Sequence, residues 1–347
     1  MTARVVDDLI PTLRVNPTGQ EIGRGAYGRV FEVNYDGTLC AAKEIHLLLQ
    51  QYAQGDEFEK LRRDFLRECQ IWSTLRHPSI VQFLGVYYST TSTIPLIVME
   101  KMKCSLKNLP NIYSNIPLNV KLSILDEVCL GLRYLHTRNP PIAHRDLTPN
   151  NILLSSFLEA KITDLGVAKV MQKRAAQTMT KGPGTADFMP PESQADHPVY
   201  GLPLDVFSYG GVVLFTITEV WPQPTSWVQF DPVTGDRNVL SEVERRKHYL
   251  ERMIGSATDL KPFVRSCLDD NPQRRPSVTE VSITIRRVRE SCSQMGGHDG
   301  KSIIVWLAEQ ESSSTLYSQQ QQITSLTTQL EEMSVNYREL QQENNTL

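Results

Sequence analysis

The amino-acid sequence predicts an α+β protein in two dissimilar parts, followed by a helical tail. Three observations predict it. Up to about Thr93, short β-branched and aromatic runs alternate with turn residues, as in RVFEVNYDGTLCAAKEI. From Leu118 onward, apolar residues recur at helical spacing. From Leu316 a seven-residue apolar repeat runs to Leu347. Strands grouped ahead of helices, rather than alternating with them, argue for α+β over a parallel α/β sheet.

Taken in order, residues 1–17 read as a leader. Asp36-Gly37 predicts a hairpin turn between two strands. Phe58, Leu61, Phe65, Cys69 and Trp72 share one face of a helix spanning Phe58 to Leu75. Leu125, Val128, Leu132 and Leu135 form the stripe of a second helix. The apolar run Val206–Val220 is shorter than the ~20 residues of a membrane span and includes Ser208, Gly210 and Gly211, so it predicts a buried core helix. Gly296–Ser302 reads as a linker. The boundaries are therefore 1–17, a folded domain at 18–291 that divides near residue 102 (18–102 and 103–291), a linker at 292–315, and a coiled coil at 316–347. The coil has one series in Leu316, Ile323, Leu330, Tyr337 and Asn344, and another in Leu326, Met333, Leu340 and Leu347. It predicts a homo-oligomer or a partner helix, with Asn344 placed to fix register. A Gln-rich, partly helical tail is the alternative.

Composition excludes several classes. The 347 residues carry a formal net charge of −3, which gives no basic field for nucleic acid. Six cysteines lie scattered without a CxxC pair, as expected of idle thiols in a reducing cytoplasm. The N-terminal MTARVVDDLIPTLRV has no apolar core of a secretory signal. The expectation is a cytoplasmic protein that binds neither nucleic acid nor membrane.

Chemistry-bearing residues begin with GRGAYGRV, which supplies Gly23, Gly25 and Gly28 ahead of Val30, with Ile22 just before. Glycines let backbone amides approach phosphates. A dinucleotide-binding fold would place a helix directly after such glycines, and a Walker A loop would end in Gly-Lys-Ser/Thr; this stretch does neither. Instead a strand pattern follows, with Lys43 and, two residues earlier on the same face, Ala41. Glu68, in the helical FLRECQIW, can pair with Lys43 and hold it on phosphates. Further on, HRDLTPNN places Asp146 and Asn151 at the spacing H-R-D-x-x-x-x-N, and ITDLGVA supplies Asp164 eighteen residues beyond Asp146. A carboxylate near a hydroxyl, an amide oxygen and a second carboxylate for a metal are what phosphoryl transfer needs.

Over about residues 18–291 the chain resembles a eukaryotic protein kinase, and most of all the tyrosine-kinase-like group of Ser/Thr kinases. The resemblance implies a bilobal fold, with a small antiparallel sheet and one helix joined to a larger helical lobe. It implies ATP and Mg2+ (or Mn2+) as cofactors and a protein substrate. It assigns Asp146 to the substrate hydroxyl, Lys43 and Glu68 to ATP, and Asn151 and Asp164 to the metal. Met99 stands as gatekeeper before an adenine-binding hinge of Glu100, Lys101 and Met102. Val30, Ala41 and Leu153 would sandwich the base. Trp72, Leu165 and His144 would stack as a spine, and Leu165 replaces the usual phenylalanine after the metal-binding aspartate. Asp205 would anchor the catalytic-loop backbone. GTADFMPPES stands where the family has its substrate-docking loop; there Glu192 would pair with Arg275, and Pro190 replaces the usual alanine.

Thr185 matches the Ser/Thr pattern, where it helps to hold the catalytic aspartate. Thr148 stands where such kinases carry lysine, and neither Pro149 nor Asn150 supplies a cation. Ser/Thr transfer is the expectation; a tyrosine or dual-specificity kinase and a pseudokinase scaffold are the alternatives. Phosphate on Thr178 or Thr180 would pair with Arg145 and order the loop.

Overall fold

A computed structural model describes residues 10–25, 28–45, 56–89, 95–165, 186–194, 201–221, 228–230, 237–239, 260–293, 302–310 and 312. The chain divides into two compact units, Met1–Gly300 and Lys301–Leu347.

The first unit opens with a five-stranded antiparallel sheet in the order β1-β2-β3-β5-β4. Its strands are β1 (Asn16–Gly25), β2 (Gly28–Tyr35), β3 (Thr38–Ile45), β4 (Phe83–Tyr87) and β5 (Leu96–Glu100). Asp36 and Gly37 close the β2–β3 hairpin with φ of 49° and 82°, and Asn34 Oδ1 accepts from Gly37 N–H at 3.0 Å. Positive φ at both central residues suits a tight hairpin between right-twisted strands. Register then sorts the faces. Cys40 and Ala42 point into a core with Val15, Val33, Leu96 and Val98. Their alternates, Ala41 and Lys43, lie opposite Met99 and Ile97 on the other face. Between β3 and β4 runs α1 (Asp56–Ser73), which buries Phe65, Cys69 and Trp72. The side chains of Phe58 and Leu61 lie outside the described residues.

Backbone hydrogen bonds join the segment just before β4 to the helical part. Ile162 N–H donates to Ser79 O and Val81 N–H to Ile162 O, each at 2.9 Å. Gly131 permits the approach, since a Cβ there would lie 2.7 Å from Ser79 O. Nearby, His77 stacks on Tyr134 at 4.9 Å and Arg76 N–H donates to the Tyr134 hydroxyl.

The helical part is built on α3 (Leu118–His136), reached through β6 (Cys104–Ser105), a 3-10 turn at Leu106–Asn108 and the short α2 (Leu109–Ile112). Leu125, Val128, Leu132 and Leu135 are fully buried, as their spacing predicts. Each contributes roughly 1.5–3 kcal/mol on leaving water. Arg133 sits in the last turn, where a cation complements the helix dipole. Strands β7 (Ile152–Leu154) and β8 (Ala160–Ile162) form a three-stranded sheet with β6. After the single-turn α4 (Pro191–Gln194), α5 (Leu202–Thr218) crosses the core, and Tyr209 donates to Leu125 O at 2.9 Å. A small hairpin of β9 (Val228–Phe230) and β10 (Arg237–Val239) precedes α6 (Lys261–Cys267) and α7 (Val278–Ser293).

Two sequence boundaries need correction. Part of the expected leader belongs to the sheet unit. Ile10 and Val15 are buried, Leu13 N–H donates to Val86 O, and Val86 N–H donates to Pro11 O, both at 2.8 Å. The segment covers the exposed edge of β4, which would otherwise present unpaired backbone groups. Gly85 makes room: a Cβ would sit 2.4 Å from Pro11 O. The expected linker contains a helix, α8, over residues 303–310, in which Trp306 is buried. The expected coil at 316–347 lies outside the described residues.

Candidate active site

Asp146 sits on a loop held from beneath. Asp205, fully buried at the start of α5, accepts from His144 N–H at 2.8 Å and Arg145 N–H at 2.7 Å. His136 Nε2 lies 2.8 Å from the same carboxylate. Arg145 takes φ of 70°, and this turn keeps both amides on one carboxylate. The His144 ring reaches Thr163 O at 2.8 Å, tying the loop to the segment that carries Asp164. Asn151 Nδ2 donates to Asp146 O at 2.8 Å and to Asp146 Oδ2 at 2.9 Å. The other carboxylate oxygen, Asp146 Oδ1, is buried with no hydrogen-bond partner among the described residues.

That environment raises the Asp146 pKa to about 7, chiefly through burial and then through the neighbouring Asp164 charge. The Asn151 hydrogen bond and Lys43 act in the opposite direction. Asp164 takes φ of 63°, and its Oδ2 lies 2.5 Å from Lys43 Nζ. This ion pair joins Lys43 to the residue expected at the metal. Glu68 occupies a half-buried position on α1.

Gly23 and Gly28 stand at the ends of paired β1 and β2, where Gly25 pairs with Gly28. Val30 lies opposite Lys43, and Ala41 opposite Met99. Met99 is buried and accepts a long hydrogen bond from Thr163 Oγ1. Leu153 lies half-buried on β7, Met102 is half-buried, and Ile22 is 36% exposed. Trp72, Leu165 and His144 are all buried. Trp72 is fixed by its Nε1–H to Val81 O and by a ring contact with Phe83 at 5.7 Å. Glu192 and Arg275 form a two-pronged pair at 2.5 and 2.8 Å, and Arg275 also donates to Asp269 O and Pro203 O. Thr178, Thr180 and Thr185 lie outside the described residues.

The residues fit a metal-assisted nucleotide. Asn151 uses Nδ2 for both of its bonds to Asp146, which leaves Oδ1 as an acceptor for a cation. Among the described residues no group of three or more His, Cys, Asp or Glu forms a self-contained metal cage. One carboxylate and one amide suit a Mg2+-type ion that takes its other ligands from water and phosphates.

Several contacts here were not legible in the sequence. Hinge residue Glu100 pairs with Lys161 at 2.7 Å and accepts from Gln82 N–H at 2.7 Å. Its neighbour Lys101 pairs with the buried Glu32. Nothing in the spacing of His136 reports the distant Asp205 that it meets beneath the loop.

A family profile for the protein kinase domain matches residues 17–284. The chain is 35% identical over 278 residues to a probable serine/threonine-protein kinase of Dictyostelium discoideum, covering 79% of this chain and 42% of that protein. It is 28% identical over 275 residues to the serine/threonine-protein kinase CTR1 of Arabidopsis thaliana (78% and 31%). It is 27% identical over 282 residues to the dual specificity protein kinase shkA of Dictyostelium discoideum (78% and 49%). The matched region is less than half the length of each of these relatives. A profile that spans most of the sequence, over a two-lobed unit whose cleft gathers Lys43, Asp146, Asn151 and Asp164, leaves one assignment: the chain belongs to the protein kinase family.

Proposed function

We propose that this chain transfers the terminal phosphoryl group of ATP to serine or threonine hydroxyls of proteins. The observation that carries the reading is the unpartnered, buried Asp146 Oδ1. A substrate hydroxyl donating to it would be oriented for attack, because the other oxygen is fixed by Asn151. The hydroxyl oxygen forms a bond to the terminal phosphorus, the bridging P–O bond breaks to leave ADP, and the hydroxyl proton passes to Asp146. Lys43 would hold the phosphates, and Asn151 and Asp164 would hold Mg2+, or Mn2+ in its place. The metal supplies charge neutralisation on the phosphate oxygens. Glu100 and Met102 offer hinge backbone to the adenine, with Ile22, Val30, Ala41 and Leu153 around it.

Serine/threonine preference is supported by the names of two of these relatives. Thr148 is buried and brings no charge to the loop. One missing charged hydrogen bond, roughly 1.5–3 kcal/mol, lowers the rate about tenfold to a hundredfold. Among the described residues no helix is long and apolar enough to cross a membrane. A radiolabel transfer assay on a degenerate peptide array tests the reading. Wild type labels Ser/Thr peptides and Asp146→Asn does not; equal labelling by both would overturn it.

A further inference from the structure

Beside the catalytic loop lies a cation that the proposed chemistry does not use. Lys107, on the 3-10 turn Leu106–Asn108, is exposed, and its backbone N–H donates to Pro149 O at 3.0 Å, three residues past Asp146. Its ammonium lies 4.7 Å from the centre of the Trp221 ring. Trp221 is locked from the other side. Its Nε1–H donates to Asp187 Oδ2 at 3.0 Å, and Phe188 and Phe215 meet it edge-on at 5.0 and 5.6 Å. Phe188 is itself wedged against α5, where a Cβ at Gly211 would lie 2.9 Å from its ring. Asp187 and Phe188 belong to the GTADFM stretch that the family resemblance assigns to substrate docking.

The ring therefore ties the catalytic loop's flank to the docking stretch, with a lysine on top. A ring face attracts an ammonium but does not neutralise it. Among the described residues no carboxylate lies within ion-pair distance of Lys107, and Asp187 is engaged at the indole edge. The turn is held by its backbone and the ring by three neighbours, so little freedom is lost when an anion arrives.

We propose that Lys107, seated on Trp221, is a specificity residue that selects protein substrates with an anionic side chain, carboxylate or phosphate, flanking the phosphoacceptor. The proposal rests on the kinase reading and deepens it by naming the substrate class.

The test uses the full chain and a set of Ser peptides scanned at each flanking position with Asp, phosphoserine, Ala or Arg. Phosphate transfer is measured for wild type and Lys107→Glu. Binding of the same peptides to Asp146→Asn, with and without Lys107→Glu, is measured by fluorescence anisotropy. Wild type should favour Asp over Ala at one position by about twofold to fivefold, the range of an exposed ion pair. Phosphoserine should exceed Asp there if phosphate is the natural ligand and match it if carboxylate is. Lys107→Glu should reverse the order at that position in favour of Arg. The same order of preference in both proteins, in transfer or in binding, would overturn the proposal. Transfer to Ala peptides by wild type reports separately on the kinase reading, and the binding arm reports on Lys107 even if that transfer is nil.

Discussion

The Asp146 carboxylate should weaken the fold it belongs to, and Asp146→Asn should therefore stabilise the chain at alkaline pH. Burial, with Asp164 adding repulsion, raises the Asp146 pKa from 3.8 to about 7. Below pH 3.8 the group is protonated folded or unfolded and contributes nothing. Between pH 3.8 and about 7 the unfolded chain ionises while the folded one resists, so stability falls as pH rises. Above about 7 the loss is complete. A shift of about three units corresponds to about 4 kcal/mol at 1.36 kcal/mol per unit, an upper bound. Asparagine keeps an oxygen for Asn151 Nδ2 but places an amide at the orphaned Oδ1 site, so about 2–4 kcal/mol is the expected gain at pH 8. For a domain of this size that is a Tm rise of roughly 5–15 °C. Thermal unfolding of both proteins without nucleotide, from pH 5 to 8.5, reads the difference. The gain should shrink as pH falls through the window, and Asp164→Asn should reduce it by removing the second cause. A gain that is absent at pH 8, or constant across pH, would refute this account of Asp146.

Three further outcomes are expected. Glu192→Ala leaves the buried Arg275 guanidinium without its carboxylate and should cost about 3–5 kcal/mol in urea denaturation; a loss under 1 kcal/mol would mean that the pair is not structural. Gly85→Val should cost about 1–3 kcal/mol in the full chain by driving a side chain into Pro11, and much less in a chain lacking residues 1–15; equal costs in both would contradict the docked segment. If 316–347 is a coiled coil that self-associates, light scattering should report an oligomer that becomes a monomer when those residues are removed; a monomeric full chain would exclude it.

The two-part fold class and the pairing of Asn151 with Asp146 were legible because they rest on local spacing. Alternation placed Ala41 and Lys43 on one face, and register then set them against Met99 and Ile97. Helical spacing found the Leu125–Leu135 stripe, and a motif of fixed length brought Asn151 to Asp146. What was missed depends on contacts between distant segments. Residues 10–17 read as part of a leader because their partner Val86 lies some seventy residues along the chain. Lys107 and Trp221 look like an ordinary surface lysine and core tryptophan until the fold stacks them.

The paired amides at Ser79–Val81 and Ile162 have a mechanical consequence. Among the described residues, and apart from contacts across the cleft itself, the strand-rich lobe is fastened to the helical lobe at two separated places: the covalent connection, braced by Glu100 and Lys161, and this backbone bridge behind it. A body fastened at two points turns readily only about the line joining them. The cleft should therefore open as a door swings on its pins, with twisting and sliding suppressed, so that Lys43 travels on an arc that returns it to Asp164 each time the door shuts.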